Sequence, residues 1–329
     1  MNIFEIMYEK YIITKPIRLI ELFGGIGAPR KALQRLGIEH EVVDYVEIDK
    51  YAVKSYNAIY GTNYEPQDIT EWNKNLDVDL IFHGSPCQDF SLAGKQAGGE
   101  KDSGTRSSLL YETVRIVERE KPKYVIWENV KNVISKKHKH TFDNYLHEME
   151  LLGYTNYYQV LNAKDYGIPQ NRERVFTISI LGEHNTFNFP PKQELKLRLK
   201  DMLEDEIDEK YYLKTFDGFV DKKYKDFEDN RGYTPNMFNP YNKSEINDIA
   251  PTQSTQCGST TSSATVLIKN DLRIRKLTPK ECWRLMGFDD IDFEKAAQVN
   301  SNAQLYKQAG NSIVVNVLEA IFKELFKEE

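Results

Sequence analysis

The chain has 329 residues, 44 Lys+Arg against 50 Asp+Glu for a formal net charge of -6, and 40% hydrophobic with 29% charged residues. These values exclude a disordered or fibrous chain and a protein that coats nucleic acid by bulk charge, while leaving room for a local basic cleft. No run reaches the roughly 18 apolar residues of a membrane span, the opening MNIFEIMYEK lacks a basic signal region, and Cys87, Cys257 and Cys282 are too scattered for a disulfide framework or a four-ligand zinc site.

In chain order, short apolar runs predict strands at Arg18–Phe23, Val42–Glu47, Asp79–His83, Tyr124–Glu128, Tyr157–Leu161 and Val175–Leu181. Amphipathic segments between them predict helices at Pro29–Leu36, Tyr51–Ile59, Ser108–Glu120 and Thr141–Leu152. The alternation predicts an α/β fold, a doubly wound and mostly parallel sheet covered on both faces. Residues 185–270 lose any sustained period, and Thr252–Thr265 is an uncharged polar run. A smaller, loop-rich second domain is expected there. Helical spacing returns at Thr278–Met286, where Thr278, Pro279 and Glu281 form an N-terminal capping signature. It returns again at Ser312–Phe326, with Ile313, Val317, Ile321 and Leu325 on one face.

In such sheets ligands bind beyond the carboxyl ends of the strands. The first strand runs into Phe23-Gly24-Gly25-Ile26-Gly27-Ala28-Pro29, a turn tight enough to bring a ligand against the backbone. Arg30 stands where a nicotinamide fingerprint needs its third glycine, which disfavours an oxidoreductase. Glu47 ends the second strand, placed for a ribose hydroxyl, and Asp68 is a candidate for an adenine amino group. The third strand leads into Gly84-Ser85-Pro86-Cys87-Gln88-Asp89-Phe90-Ser91. A cysteine in a polar, proline-bounded loop beside a cofactor site reads as a nucleophile, whereas Cys257 and Cys282 read as small buried hydrophobes. Glu128 closes the fourth strand as a candidate proton donor. Arg172 and Arg174, taken as alternate residues of one strand, suit anionic oxygens or a carbonyl.

The ordered set Phe23–Gly27, Gly84–Ser91, Glu128–Val130, Gln170–Arg174, Arg275–Phe288 and Gln308–Val315 closely resembles the DNA (cytosine-5)-methyltransferases of bacteria and phages, over nearly the whole chain except its first 16 residues and 185–270. The resemblance implies a Rossmann-like class I methyltransferase fold. Residues 1–184 with 301–329 would bind S-adenosylmethionine and carry catalysis, yielding S-adenosylhomocysteine. Residues 185–300 would form the target-recognition domain. It implies Cys87 as nucleophile toward C6 of a flipped-out cytosine, Glu128 at the N3 edge, Arg174 at O2 and Arg172 on substrate or phosphate. Phe23, Gly25, Ile26, Gly27, Glu47, Ile48, Asp68, Ile69, Pro86, Leu109, Asn311 and Ser312 would surround the cofactor, with no metal.

The same resemblance makes Ser91–Ser108 a loop that closes on DNA, with Lys95 and Arg106 meeting phosphates and Ser85, Gln88 and Ser91 near the substrate. Gln253 and Gln256 are candidate base readers, as is Arg231. The implied partner is double-stranded DNA, with the chain a cytoplasmic monomer beside a cognate restriction endonuclease or encoded by a phage. Rival readings are a transfer-RNA cytosine methyltransferase, which lacks so long a segment as 185–270, and a non-catalytic DNA-binding regulator, which predicts damage at Cys87, Glu128 or Arg174.

Overall fold

A computed structural model describes residues 15–85, 109–182, 186–213, 235–270 and 273–327. Pro86, Cys87, Gln88, Ser91, Lys95, Arg106 and Arg231 lie outside the described residues. The central strands are β1 (Ile17–Leu22), β2 (His40–Val46), β3 (Leu80–His83), β4 (Tyr124–Val130), β5 (Tyr154–Asn162) and β7 (Glu173–Leu181), with β6 (Gln170–Asn171) a short separate piece. Their order is β2-β1-β3-β4-β7-β5. The first four are mutually parallel, and β7 runs antiparallel to both β4 and β5. Strands β1 and β3 are almost wholly buried because each faces helices on both sides, so they read as continuous apolar runs instead of alternating ones.

Helices α1 (Ala28–Arg35), α2 (Lys50–Tyr60), α3 (Leu110–Glu120) and α4 (Lys139–Leu151) follow their strands. Local chemistry sets their ends. Gly27 caps α1 at φ 79 with a proline in the first turn, while the Asp49 carboxylate accepts from Tyr51 N at the start of α2 and Gly61 at φ 66 ends it. Beyond them lie α5 (Pro279–Arg284), α6 (Asp290–Ala297), α7 (Asn302–Asn311) and α8 (Val315–Phe326). The capping box expected from Thr278 and Glu281 is present, both halves formed.

One apolar layer joins Leu19, Leu80, Phe82 and Ile126 to α1, α5 and α8 through Leu33, Trp283 and Ile321; the other joins Ile20, Ile81 and Trp127 to α3 and α4 through Val117, Phe142 and Tyr145. This is the expected doubly wound sandwich.

The segment 277–296, expected from the sequence in the second domain, packs on the main body. Leu277, Trp283, Leu285, Met286 and Ala296 belong to the first apolar layer, and Lys31 of α1 lies 2.7 Å from the carboxylates of both Asp289 and Asp292. Phe187, Leu199, Met202 and Ile246 join the same layer. A separate small antiparallel sheet, β12-β11-β8-β9, of β8 (Met237–Asn239), β9 (Ser244–Glu245), β11 (Leu267–Asn270) and β12 (Arg273–Lys276), abuts this layer through Ile268 and Met237. It has its own core of Phe238, Leu267 and Ile274. A two-residue strand, β10 (Ala250–Pro251), pairs parallel with β6 and ties this region to the main body.

Candidate active site

The chain turns one way from β1 to β2 and the other way to β3, so a crevice opens at the carboxyl ends of β1 and β3. A cavity of about 540 Å³ lies there, lined at one end by Phe23, Gly25, Ile26, Glu47, Ile48, Asp68, Ile69 and Leu109 and at the other by Ser85, Glu128, Arg172 and Arg174, with Asn311 and Ser312 also in its wall. The fit of Gly27 is close for another reason. A Cβ built there would come within 2.6 Å of the rings of Tyr56 and Tyr60, so the turn packs directly on aromatic faces. Phe23 itself sits at φ 55, the left-handed region that costs a non-glycine residue roughly 1–2 kcal/mol.

Glu47 uses both carboxylate oxygens locally, accepting from Gly25 N at 3.0 Å and Asp49 N at 2.8 Å. Burial nonetheless pushes its carboxyl above the ordinary value. The next residue, Ile48, leaves 66% of its surface exposed in the cavity wall. Asp68 accepts from Thr70 N and Thr70 Oγ1 through one oxygen.

At the other end, Glu128 is buried and paired with Arg174, Nε to Oε1 at 3.1 Å. Burial raises its carboxyl above the usual range, opposed by the charges of Arg174 and Arg172. A Cβ placed on Gly84 would lie 3.8 Å from Glu128 Oε2, so the carboxylate rests against the strand end that leads into Pro86 and Cys87. The neighbouring residues of β4 brace that strand end: Trp127 Nε1 donates to Ser85 Oγ at 3.0 Å and Asn129 Nδ2 to Ser85 O at 3.4 Å. Ser85 is thus a buried joint between β3 and β4 that also lines the cavity beside Glu128.

The strand placement of Arg172 is corrected. It falls between β6 and β7, not within one strand, and its guanidinium donates to the carbonyls of Gln253 at 2.5 Å, Gly310 at 3.1 Å and Ser312 at 2.7 Å. A group engaged with three carbonyls positions the wall of the cavity, which Arg172 itself lines.

The family described as C-5 cytosine-specific DNA methylase matches residues 17–327. The chain belongs to that family. Type II methyltransferase M2.ScrFI of Lactococcus lactis subsp. cremoris is 39% identical over 369 aligned residues, covering 95% of this chain and 100% of that one. Orphan methyltransferase M.SPBetaI of Bacillus phage SPbeta is 32% identical, covering 94% and 97%. Among solved structures, the Entamoeba histolytica methyltransferase EhMeth superposes with a TM-score of 0.72 at 17% identity, covering 94% and 98%. The Dnmt2 methyltransferase of S. pombe does so with 0.69 at 21%, covering 93% and 97%. At such identities the likeness shows the fold.

In this methylase Gln253 is not a base reader. It is fully buried, with its Nε2 donating to Pro251 O and Ala264 O and its backbone N–H to Gln170 Oε1. Gln170 Nε2 in turn reaches Leu285 O at 2.7 Å, so the two amides stitch residues 250–265 onto the core. Gln256, in contrast, is exposed. The cavity also includes Gln67, Lys307 and Gln308, which the sequence reading did not single out for the cofactor. Gln308 lies within a noted motif, but Lys307, ion-paired to Asp49, carried no signal because a lysine on a helix ordinarily faces solvent. No group of three or more His, Cys, Asp or Glu suited to a metal occurs among the described residues, and none of their helices is long and apolar enough to cross a membrane.

Proposed function

We propose that this methylase transfers a methyl group from S-adenosylmethionine to C5 of a cytosine turned out of duplex DNA, through a transient bond between Cys87 and C6, leaving S-adenosylhomocysteine. The observation that supports it best is the Glu128 carboxyl: buried, raised by that burial, bridged to Arg174 and set against the strand end that leads to Cys87. The other end of the cavity suits an adenosyl ligand. Asp68 keeps one oxygen outside its local turn, Ile48 and Ile69 offer apolar surface to a purine, and Glu47 lies where a ribose would meet it.

The cofactor supplies the methyl as an electrophilic carbon on a sulfonium. The remaining work falls to the chain. C5 of cytosine is a poor nucleophile, and thiolate addition from Cys87 to C6 turns it into the electron-rich end of an enamine. Glu128, whose burial raises its affinity for a proton, donates to N3 as negative charge develops on the ring. Arg174, held by Glu128, is directed at O2. After methylation C5 gives up its proton to water, the C6–S bond breaks with its electron pair returning to the Cys87 sulfur, and the proton on N3 returns to Glu128. Extruding the base costs a few kcal/mol, which contacts in this pocket offset. Gln88, Ser91, Lys95, Arg106 and Gln256 are the proposed DNA contacts. The setting we infer is a bacterial or phage-encoded monomer in the cytoplasm, alone or beside a restriction endonuclease for the same site.

Bisulfite sequencing of plasmid DNA from cells expressing the methylase should reveal protected cytosines in one short sequence context. Duplexes carrying 5-fluorocytosine at that position should form a covalent adduct with the wild type and none with Cys87→Ser, because fluorine blocks the final proton loss. Fully converted plasmid from cells that hold soluble protein would reject the reading.

A further inference from the structure

Beneath the glycine turn lies a layer of tyrosines that the mechanism leaves unused. Tyr45, from β2, is fully buried and stacks on Tyr56 of α2 with ring centroids 3.9 Å apart. Its ring carries the backbone of Gly24, where a Cβ would approach to 2.7 Å. Its hydroxyl donates to Gly25 O at 2.7 Å. Tyr60 acts alongside, donating to Gly27 O at 2.6 Å. Burial first, and neighbouring carboxylates second, push both hydroxyls above their ordinary range, so they remain protonated donors.

These contacts fix two successive peptide groups. Gly25 N–H is committed to Glu47 Oε2 at 3.0 Å, and Gly25 C=O is committed downward to Tyr45. In a trans peptide the C=O and the following N–H point in opposite directions. With Gly25 O turned into the tyrosine layer, the N–H of Ile26 is turned away from it, and Ile26 lines the cavity. Among the described residues that N–H has no hydrogen-bond acceptor.

We infer that Tyr45 is a positioning residue for the cofactor: it holds the Gly25–Ile26 peptide so that Ile26 N–H is presented to the carboxylate on the amino-acid end of S-adenosylmethionine. Tyr60 secures the same turn at the start of α1. The inference rests on the S-adenosylmethionine reading and assigns a role to residues that touch neither cofactor nor substrate.

The test compares two ligands on purified full-length protein by calorimetry. S-adenosylhomocysteine has the amino-acid carboxylate, and 5′-methylthioadenosine lacks it. In Tyr45→Phe, which removes only the hydroxyl, S-adenosylhomocysteine should bind about fivefold to tenfold more weakly, the scale of one buried hydrogen bond. Binding of 5′-methylthioadenosine should be unchanged. In turnover assays KM for S-adenosylmethionine should rise by the same factor, with kcat and KM for DNA unmoved. Equal loss for both ligands would mean a general disturbance of the fold and would overturn the assignment, as would unchanged binding of S-adenosylhomocysteine. Should Tyr45→Phe fail to fold, Tyr60→Phe carries the same comparison with a smaller expected loss. A wild type that binds neither ligand would instead reject the cofactor reading itself.

Discussion

Glu128 is asked to be two things at once: half of an ion pair with Arg174 and a carboxyl that gives a proton to a ring nitrogen. Both are compatible because desolvation raises its affinity for a proton while the arginines only partly oppose this. The active form is the protonated one, so activity should fall as pH rises through the raised value, giving kcat/KM an alkaline limb. Glu128→Gln keeps shape and a donor but has no proton to transfer. We expect it to lower kcat about 10²- to 10⁴-fold, the usual contribution of a positioned acid, and to abolish that limb, with S-adenosylhomocysteine binding intact. A pH profile unchanged in shape would assign the limb to another group.

At the scale of elements, the segment around Ser254 and Thr255 is seated on the core by backbone contact. Gly310, near the end of α7, lies so close to Ser254 and Thr255 that a Cβ would approach their backbone atoms to 2.1 and 2.2 Å. Neither partner is a flexible side chain, so Gly310→Ala must force the segment away from α7 and break the carbonyl fork on Arg172. Loss of at least 3 kcal/mol in urea unfolding, or an insoluble product, is expected. Gly25→Ala is the control. Space around Gly25 is open, and the residue pays only for φ +54, about 1–2 kcal/mol. A Gly310→Ala variant as stable as Gly25→Ala would show that the seat adapts.

This seat also marks where the sequence became illegible. The parallel strands were readable because three to five buried residues in a row leave a largely apolar signal, and capping at Thr278 was readable because its partners are three residues apart. Strands β6, β8, β9 and β10 have two or three residues each, too few to show a period. Arg172 was assigned to substrate or phosphate from strand alternation and the family resemblance, and Gln253 to a base edge from its amide in a polar run that ordinarily faces solvent. Their real partners, Gly310, Ser312, Gln170 and Ala264, are brought near by the fold, and nothing in local spacing announces them. Lys307 was hidden for the same reason, its partner Asp49 being on a different helix cap.

For the molecule as a whole, two buried titratable groups on neighbouring strands set opposing pH dependences. Glu21, at the foot of the glycine turn, accepts from Tyr56 Oη and Arg30 N, and burial raises its carboxyl to about 7. His83, at the end of β3, shares a hydrogen bond with Tyr145 Oη, and burial lowers its imidazole to about 3. Glu21 favours the folded state fully below its unfolded value near 4.5, and that advantage is lost as pH rises to about 7. His83 is neutral in the fold, so stability is lost as pH falls below its unfolded value near 6.5 toward about 3. Between roughly 4.5 and 6.5 the two slopes cancel, because folding takes up one proton at Glu21 and releases one at His83. Glu21→Gln removes one slope and exposes the other. Relative to the wild type, the variant should gain about 1.4 kcal/mol of stability per pH unit through this window, roughly 3 kcal/mol in all. Urea titrations of both proteins at pH 5.0, 5.75 and 6.5 measure the difference directly, since every other group cancels in it. Because one apolar layer runs from β1 through the 277–296 segment, each titration should be a single transition. A difference that stays constant with pH would mean Glu21 ionises in the fold as freely as it does in the unfolded chain, and the tyrosines around it would then be packing on a charge.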